Sequence, residues 1–174
     1  VAMGLSVASM IRVGNQKGLK NYEDLRRIAF SLFLLGVLLA IFFALLFFIF
    51  HKILPSIYVN SNDTANYADN MEVISIASKL LITAAFFQIS DSIQVVVLGA
   101  LRGLQDVKIP TILTFISYWV VGFPISYFLG KEEMYGSFGI WLGLLAGLTT
   151  ASILLFIRFN SLTLKLIKQK HDLT

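Results

Sequence analysis

Asp91 is the residue in this 174-residue chain whose chemistry most needs explaining. It sits near the middle of the 22 residues between Lys79 and Arg102, which are otherwise almost all apolar or small. A run of about 20 residues crosses a bilayer as one helix, because a rise of about 1.5 Å per residue then spans a hydrocarbon core of roughly 30 Å. The carboxyl group then lies close to the midplane, where an ionisable side chain costs on the order of 2.5–3.5 kcal/mol and marks an ion or proton path. On a helix, Thr83, Phe87, Gln88 and Gln94, at offsets of −8, −4, −3 and +3, lie within about one face of Asp91. One carboxylate with two amides offers hard oxygens to sodium, and a carboxyl held out of water equally suits a proton. Asp91 is therefore expected to be a cation or proton site, with Thr83, Phe87, Gln88, Gln94 and Tyr118 of the following span as candidate cavity-lining residues. An organic cation near Asp91 favours the charged carboxylate, and sodium or a proton removes that attraction; such competition is a means of exchange. The plainer reading is an aspartate that hydrogen-bonds a neighbouring helix.

The elements that must hold this site are membrane helices. Hydrophobic residues make up 57% of the chain, charged residues only 14%, and the mean hydropathy is +0.79, far more apolar than an ordinary soluble domain. The 14 Lys and Arg cluster in short segments between uncharged runs, so the net charge of +4 describes loops and no nucleic-acid partner is expected. The absence of cysteine excludes disulfides and thiolate metal sites. Catalysis is not expected, since no nucleophile and base lie within plausible reach of one another, there is no metal cluster, and His51 and His171 lie in polar ends.

In chain order, VAMGLSVASM reads as the end of a helix already in the membrane, covering 1–11. With no initiator Met and no basic n-region, it suggests the C-terminal portion of a longer protein. Arg12 to Arg27 holds five basic residues and two acids; Gly14, Asn15 and Gly18 read as helix-ending residues, and Asn21 as the cap of the next helix. Ile28 to Phe50, 23 residues without a charge, is apolar all round, as lipid permits and water does not. Lys52 to Lys79 is the longest polar connection, with Pro55 and a loop-like NSNDTANYADN; its Asn62-Asp63-Thr64 match to a glycosylation acceptor is a weak pattern. Spans are expected at about 28–50, 80–101, 109–130 and 134–157. Pro110 suits the first turn of the third, and Pro124 inside that span favours a packing kink. Gly139, Gly143 and Gly147 recur every four residues and form a smooth ridge for close helix packing, within the chain rather than between copies. The tail from 158 to 174 is basic and amphipathic and suits the membrane surface. Eleven basic residues then fall on one side and three on the other, which places the basic loops and the C-terminus in the cytoplasm of a bacterial inner membrane.

These residues also carry a family resemblance. The segment FFQISDSIQVVVLGALRGLQDVKIPTILTFISYWVVGFPISYFLG resembles the tenth and eleventh helices of multidrug and toxic compound extrusion transporters, the NorM-like branch especially. Its pattern D-x-x-Q-x-x-x-x-G-x-L-R-G is carried by Asp91, Gln94, Gly99, Leu101, Arg102 and Gly103. Gly4 to Gly18, GLSVASMIRVGNQKG, is similar to the family's eighth-helix end and following loop. The resemblance implies an all-α polytopic transmembrane bundle: most of the C-terminal lobe of a twelve-helix transporter, with four full spans and the end of a fifth. It implies exchange of sodium ions or protons for organic cations or drugs, no cofactor beyond the coupling ion, and an N-terminal lobe as partner alongside membrane lipid. Asp91 falls on the family's acidic cation-site position. The acid that the NorM-like branch carries in its seventh helix has no counterpart in these residues. Phe87 stands where some relatives have a tyrosine, which removes a ligand oxygen for sodium. A lipid-linked saccharide flippase shares the wider architecture but calls for basic cavity residues inside the spans; a non-transporting scaffold or truncated remnant is the reading from another class.

Overall fold

The computed structural model describes residues 1–58, 67–131 and 134–172. Helix α1 covers Ala2–Gly18, and Lys20, at φ 55°, turns the chain into α2, Tyr22–Phe50. The backbone N–H of Asp24 donates to the Asn21 side chain at 3.5 Å, and Glu23 and Asp24 occupy the first turn, where the helix dipole favours acids. The buried residues of α2, Leu25, Ala29, Phe33, Gly36, Ala40 and Ala44, recur every three or four positions. They make one stripe that narrows to small residues, so neighbouring helices come close beside Gly36. Leu34, Leu38, Ile41, Phe42 and Leu45 point away from the bundle.

A short α3, Ile53–Tyr58, carries Pro55. Helix α4, Tyr67–Gly103, is the centre of the bundle and packs against α1, α2 and α7. Gly99 and Gly103 let it approach α1 so closely that a Cβ at either would collide with the Ser6 or Met10 carbonyl oxygen. The α4–α5 turn uses Gln105 at φ 61°. Helix α5, Lys108–Ile116, holds Pro110 in its first turn, and a π-helical turn, Ser117–Gly122, leads into α6, Phe123–Leu129. Helix α7, Gly136–His171, returns across the bundle. The core sits toward the α4–α5 turn. Val13, Leu25, Leu101 and Phe159 there have no exposed surface, and Phe30, Phe33, Phe156 and Phe159 meet edge to face with centroids 5.2–6.4 Å apart.

Among the described residues, four helical segments are long and apolar enough to cross a membrane: Tyr22–Phe50, Asn70–Gly103, Lys108–Leu129 and Gly136–His171. The chain is thus an all-α, multi-pass membrane bundle. The helices overrun the apolar windows expected from sequence. Helix α1 continues through Gly14 and Asn15, because Gly14 lies against the Gly103 backbone, and that contact, not local propensity, decides the conformation. Residues 158–171 are not a separate segment lying on the surface; they continue α7 without a break. No glycine or proline interrupts the helix after Gly147, and Phe159 and Thr163 are fully buried against the bundle. The distortion expected at Pro124 takes the form of the π-helical turn just before it, a common accommodation in a helix lacking one N–H. The Asn62-Asp63-Thr64 pattern lies outside the described residues.

Candidate ion site

Asp91 is carried at the crossing of α4 with α1 and α2. Its carboxylate is partly buried at a crevice of about 50 Å³, lined also by Leu5, Gly36, Ala40, Gln88 and Ser92. Gly36 opens this space, since it is the single glycine in α2. Ser92, one residue after Asp91, donates its hydroxyl to the Gly36 carbonyl at 3.0 Å. That bond ties α4 to α2 at the floor of the crevice. Ser6 of α1 likewise donates to the Val95 carbonyl at 2.8 Å. Among the described residues the Asp91 carboxylate makes neither a hydrogen bond nor an ion pair. Within the described residues it does not act as an interhelical hydrogen-bonding aspartate.

The polar residues expected around Asp91 separate into three directions. Gln88 shares the crevice, and Ser92 joins it, so residues bearing a carboxylate, an amide and a hydroxyl line one space. These are the hard donors that a small cation takes. Gln94 turns away: its Oε1 accepts from the Tyr118 hydroxyl at 3.1 Å, joining α4 to the π-helical turn. Tyr118 stays within electrostatic reach of Asp91. Phe87 meets Trp141 of α7 edge to face at 6.0 Å. Thr83 is bonded to the Lys79 carbonyl of its own helix at 3.3 Å and lines a different space with Lys79, Ile82, Tyr135 and Phe138. Sequence reasoning missed Ser92 and Gly36, and the lone glycine in a span of bulky residues was the available signal. It also missed Ser90, whose hydroxyl meets that of Thr149 on α7 at 3.0 Å.

Size separates the crevice from a second space. A groove of about 560 Å³ lies along the π-helical turn, α6 and α7, lined by Tyr118, Trp119, Phe123, Tyr127, Lys131 and others. Organic ligands occupy sites of roughly 300–1,000 Å³, whereas the crevice has room only for an ion or a few waters. The ridge Gly139, Gly143 and Gly147 is packed against Leu129, Ser126 and Gly122, so it serves the α6–α7 contact.

A family model described as MatE matches residues 1–128. This chain belongs to the MatE family. It is 37% identical over 163 residues to the probable multidrug resistance protein NorM of Rhodopseudomonas palustris, covering 94% of this chain and 33% of that protein. It is 38% identical over 162 residues to the multidrug resistance protein NorM of Aliivibrio fischeri, covering 91% of this chain and 33% of that protein. The probable NorM of Bacillus subtilis matches at 33% over 173 residues, with 97% and 35% coverage. Among solved structures, the eukaryotic MATE transporter AtDTX14 superposes with a TM-score of 0.78 at 18% identity over 97% of this chain and 37% of that one, a likeness of fold. The MatE chain spans about a third of the length of the curated relatives it matches. Its family is one of transporters, not enzymes.

Proposed function

We propose that this MatE chain forms part of a secondary active multidrug efflux transporter of a bacterial inner membrane, with its basic loops and C-terminus in the cytoplasm. In this reading sodium or protons exchange for organic cations, and Asp91 is the coupling site. The observation that carries it is the unpaired Asp91 carboxylate, deep in a membrane helix and facing a crevice of ionic size beside Gln88 and Ser92. An uncompensated carboxylate at that depth is costly, and titration or ion binding relieves the cost. The NorM-named relatives support the assignment to multidrug resistance.

The crevice is too small for a drug, so competition between drug and ion is electrostatic. A loaded Asp91 carries no net field to attract an organic cation, and an empty one does. Tyr118 lines the aromatic groove and bonds Gln94, one turn from Asp91 along α4. The test is ethidium efflux from cells lacking their own pumps, with Asp91 or Asp91→Asn, under separately imposed sodium and proton gradients. Export by the aspartate form alone, driven by one gradient, names both the site and the ion. Equal export by the asparagine form defeats the assignment of Asp91.

A further inference from the structure

The α1–α2 hairpin carries a second polar site. Arg12 lies six residues before the end of α1 at Gly18, and Arg27 lies five residues after the start of α2 at Tyr22. At about 1.5 Å per residue both stand roughly 7.5–9 Å in from the connecting turn, at similar depth. They line one cleft of about 380 Å³ with Asp24, Ile28, Ser31 and Leu32. Among the described residues neither guanidinium makes an ion pair or hydrogen bond. By contrast Arg26, next in sequence, is committed to Asn160 and Thr163.

The charges in the cleft do not cancel. Asp24 is the one acid on its wall, and its carboxylate accepts from the Asn21 side-chain amide at 2.7 Å at the start of α2. Two guanidiniums against one carboxylate leave a single positive charge, which matches the single negative charge of a phosphodiester. Guanidinium forks pair with phosphate oxygens two at a time. The Ser31 hydroxyl is donated to the Arg27 carbonyl at 2.9 Å and adds no donor. Beyond the arginines the cleft becomes aliphatic. Ile28 and Leu32 form its wall, and one and two turns past Ser31 the same outward face of α2 presents Leu34, Leu35 and Leu38, 61%, 44% and 55% exposed. Ile11 is 61% exposed beside Arg12 on α1.

A cationic end near the helix termini that continues into an exposed aliphatic track fits an amphiphile with one anionic head. We infer that the Arg12–Arg27 cleft binds an anionic phospholipid, its phosphodiester held by both guanidiniums and an acyl chain lying along Ile28, Leu32 and Leu35. A zwitterionic lipid brings its own ammonium to the cleft and loses the advantage of the excess positive charge. Basic pockets between membrane helices recognise anionic headgroups by the same chemistry.

The test is retained lipid counted by native mass spectrometry, with the chain released from micelles holding equal phosphatidylglycerol and phosphatidylcholine. The unmodified chain is expected to retain phosphatidylglycerol preferentially, by about fivefold for each arginine engaged. Arg12→Gln/Arg27→Gln is expected to lose that preference. Arg12→Lys/Arg27→Lys, which keeps charge without the planar fork, is expected to keep part of it. The control is Arg102→Gln/Lys108→Gln, two exposed cations of the α4–α5 region outside the cleft, which is expected to leave the preference unchanged. If the control pair lowers selectivity as far as the cleft pair, the preference belongs to the general basic belt and the inference fails. Displacement of the retained lipid by millimolar inorganic phosphate also overturns it, in favour of a free-phosphate site. Should the double glutamine variant not fold, Arg27→Gln alone decides, with half or more of the preference expected to disappear.

Discussion

Gly36 lines the crevice beside Asp91, and under the proposed function it would control access to the carboxylate. A Cβ at Gly36 would stand 3.2 Å from Ser92 Oγ and 3.3 Å from Val96 Cγ2, so a methyl group is tight but both neighbours are side-chain atoms that can shift. A leucine there would need the crevice volume itself. Gly36→Leu is therefore expected to lower Asp91-dependent efflux at least tenfold while the chain still inserts, and Gly36→Ala to keep most of it. Efflux normalised to membrane-inserted protein checks this; full activity in the leucine variant would show that cations reach Asp91 by another route. Tyr118→Phe probes the other side of α4. It removes the bond to Gln94, and since interhelical hydrogen bonds in bilayers average about 0.6 kcal/mol, the thermal midpoint in detergent is expected to move by no more than about 3 °C. At this scale Asp91 was legible in the sequence, because a lone acid in an apolar run stands out against its neighbours. The partition of its companions was not. Helical offsets place Gln88 and Phe87 side by side, yet one faces α1 and α2 and the other meets Trp141. Only the positions of the neighbouring helices decide that, and those depend on contacts between residues far apart in sequence.

Helices in this bundle pack along two glycine seams. In one, Gly99 and Gly103 of α4 meet the backbone of α1; in the other, Gly139, Gly143 and Gly147 of α7 meet α6 and the π-helical turn. Within lipid there is little hydrophobic gain from bringing helices together, so close backbone contact must supply the attraction. A side chain on either seam meets backbone atoms, which cannot rotate away. Gly143→Val would place its Cβ against Ser126, and overpacking of this kind costs about 1–3 kcal/mol or more. Its thermal midpoint is expected to fall by at least about 3 °C, whereas Gly4→Ala, with nothing within 4 Å of the added Cβ, should leave it unchanged. Equal midpoints for both variants would mean that α6 and α7 are not held by this seam. The α7 ridge was visible as a repeat every four residues. Its counterpart on α4 was hidden inside the G-x-L-R-G segment, where the glycines read as part of a motif and not as a surface. Each expected span overlaps a membrane-length helix. The polar extensions of α4 and α7 were not legible, because composition marks the bilayer's edge and not the end of the helix.

Across the whole molecule, one end of the bundle is fastened and the other is open. At the α4–α5 end, Lys17 donates to the Leu104 carbonyl at 2.7 Å and to Gln105 at 3.2 Å, and Arg158 pairs with Asp106 at 2.8 Å. Arg26 bonds Asn160 and Thr163 of α7 and lies 5.0 Å from the centre of the Phe30 ring. These three cations join α1, α2, α7 and the α4–α5 turn over the buried Phe159 and Leu101. Toward the other end lie the aromatic groove and the space beside Thr83, about 560 and 400 Å³. Under the proposed function, a carrier that exposes a site to one side needs a fixed part for another part to move against, and the fastened end would have the contacts for that role. The same side chains that bias the proposed orientation thus also hold the fold, so neutralising them should cost stability as well as topology. Arg26→Ala removes two hydrogen bonds and a ring contact at once. Hydrogen bonds to charged groups contribute about 1.5–3 kcal/mol each, so its thermal midpoint is expected to fall by at least about 6 °C. Lys131→Ala, at the open end, keeps the bundle's packing and should shift it by less than about 2 °C. Amide exchange on the two variants separates the alternatives: faster exchange in Arg26→Ala confined to residues 20–35 and 155–165 supports a clasp that locks this end. Uniform loss of protection along all helices would instead mean that the bundle opens as one unit, with no fixed end.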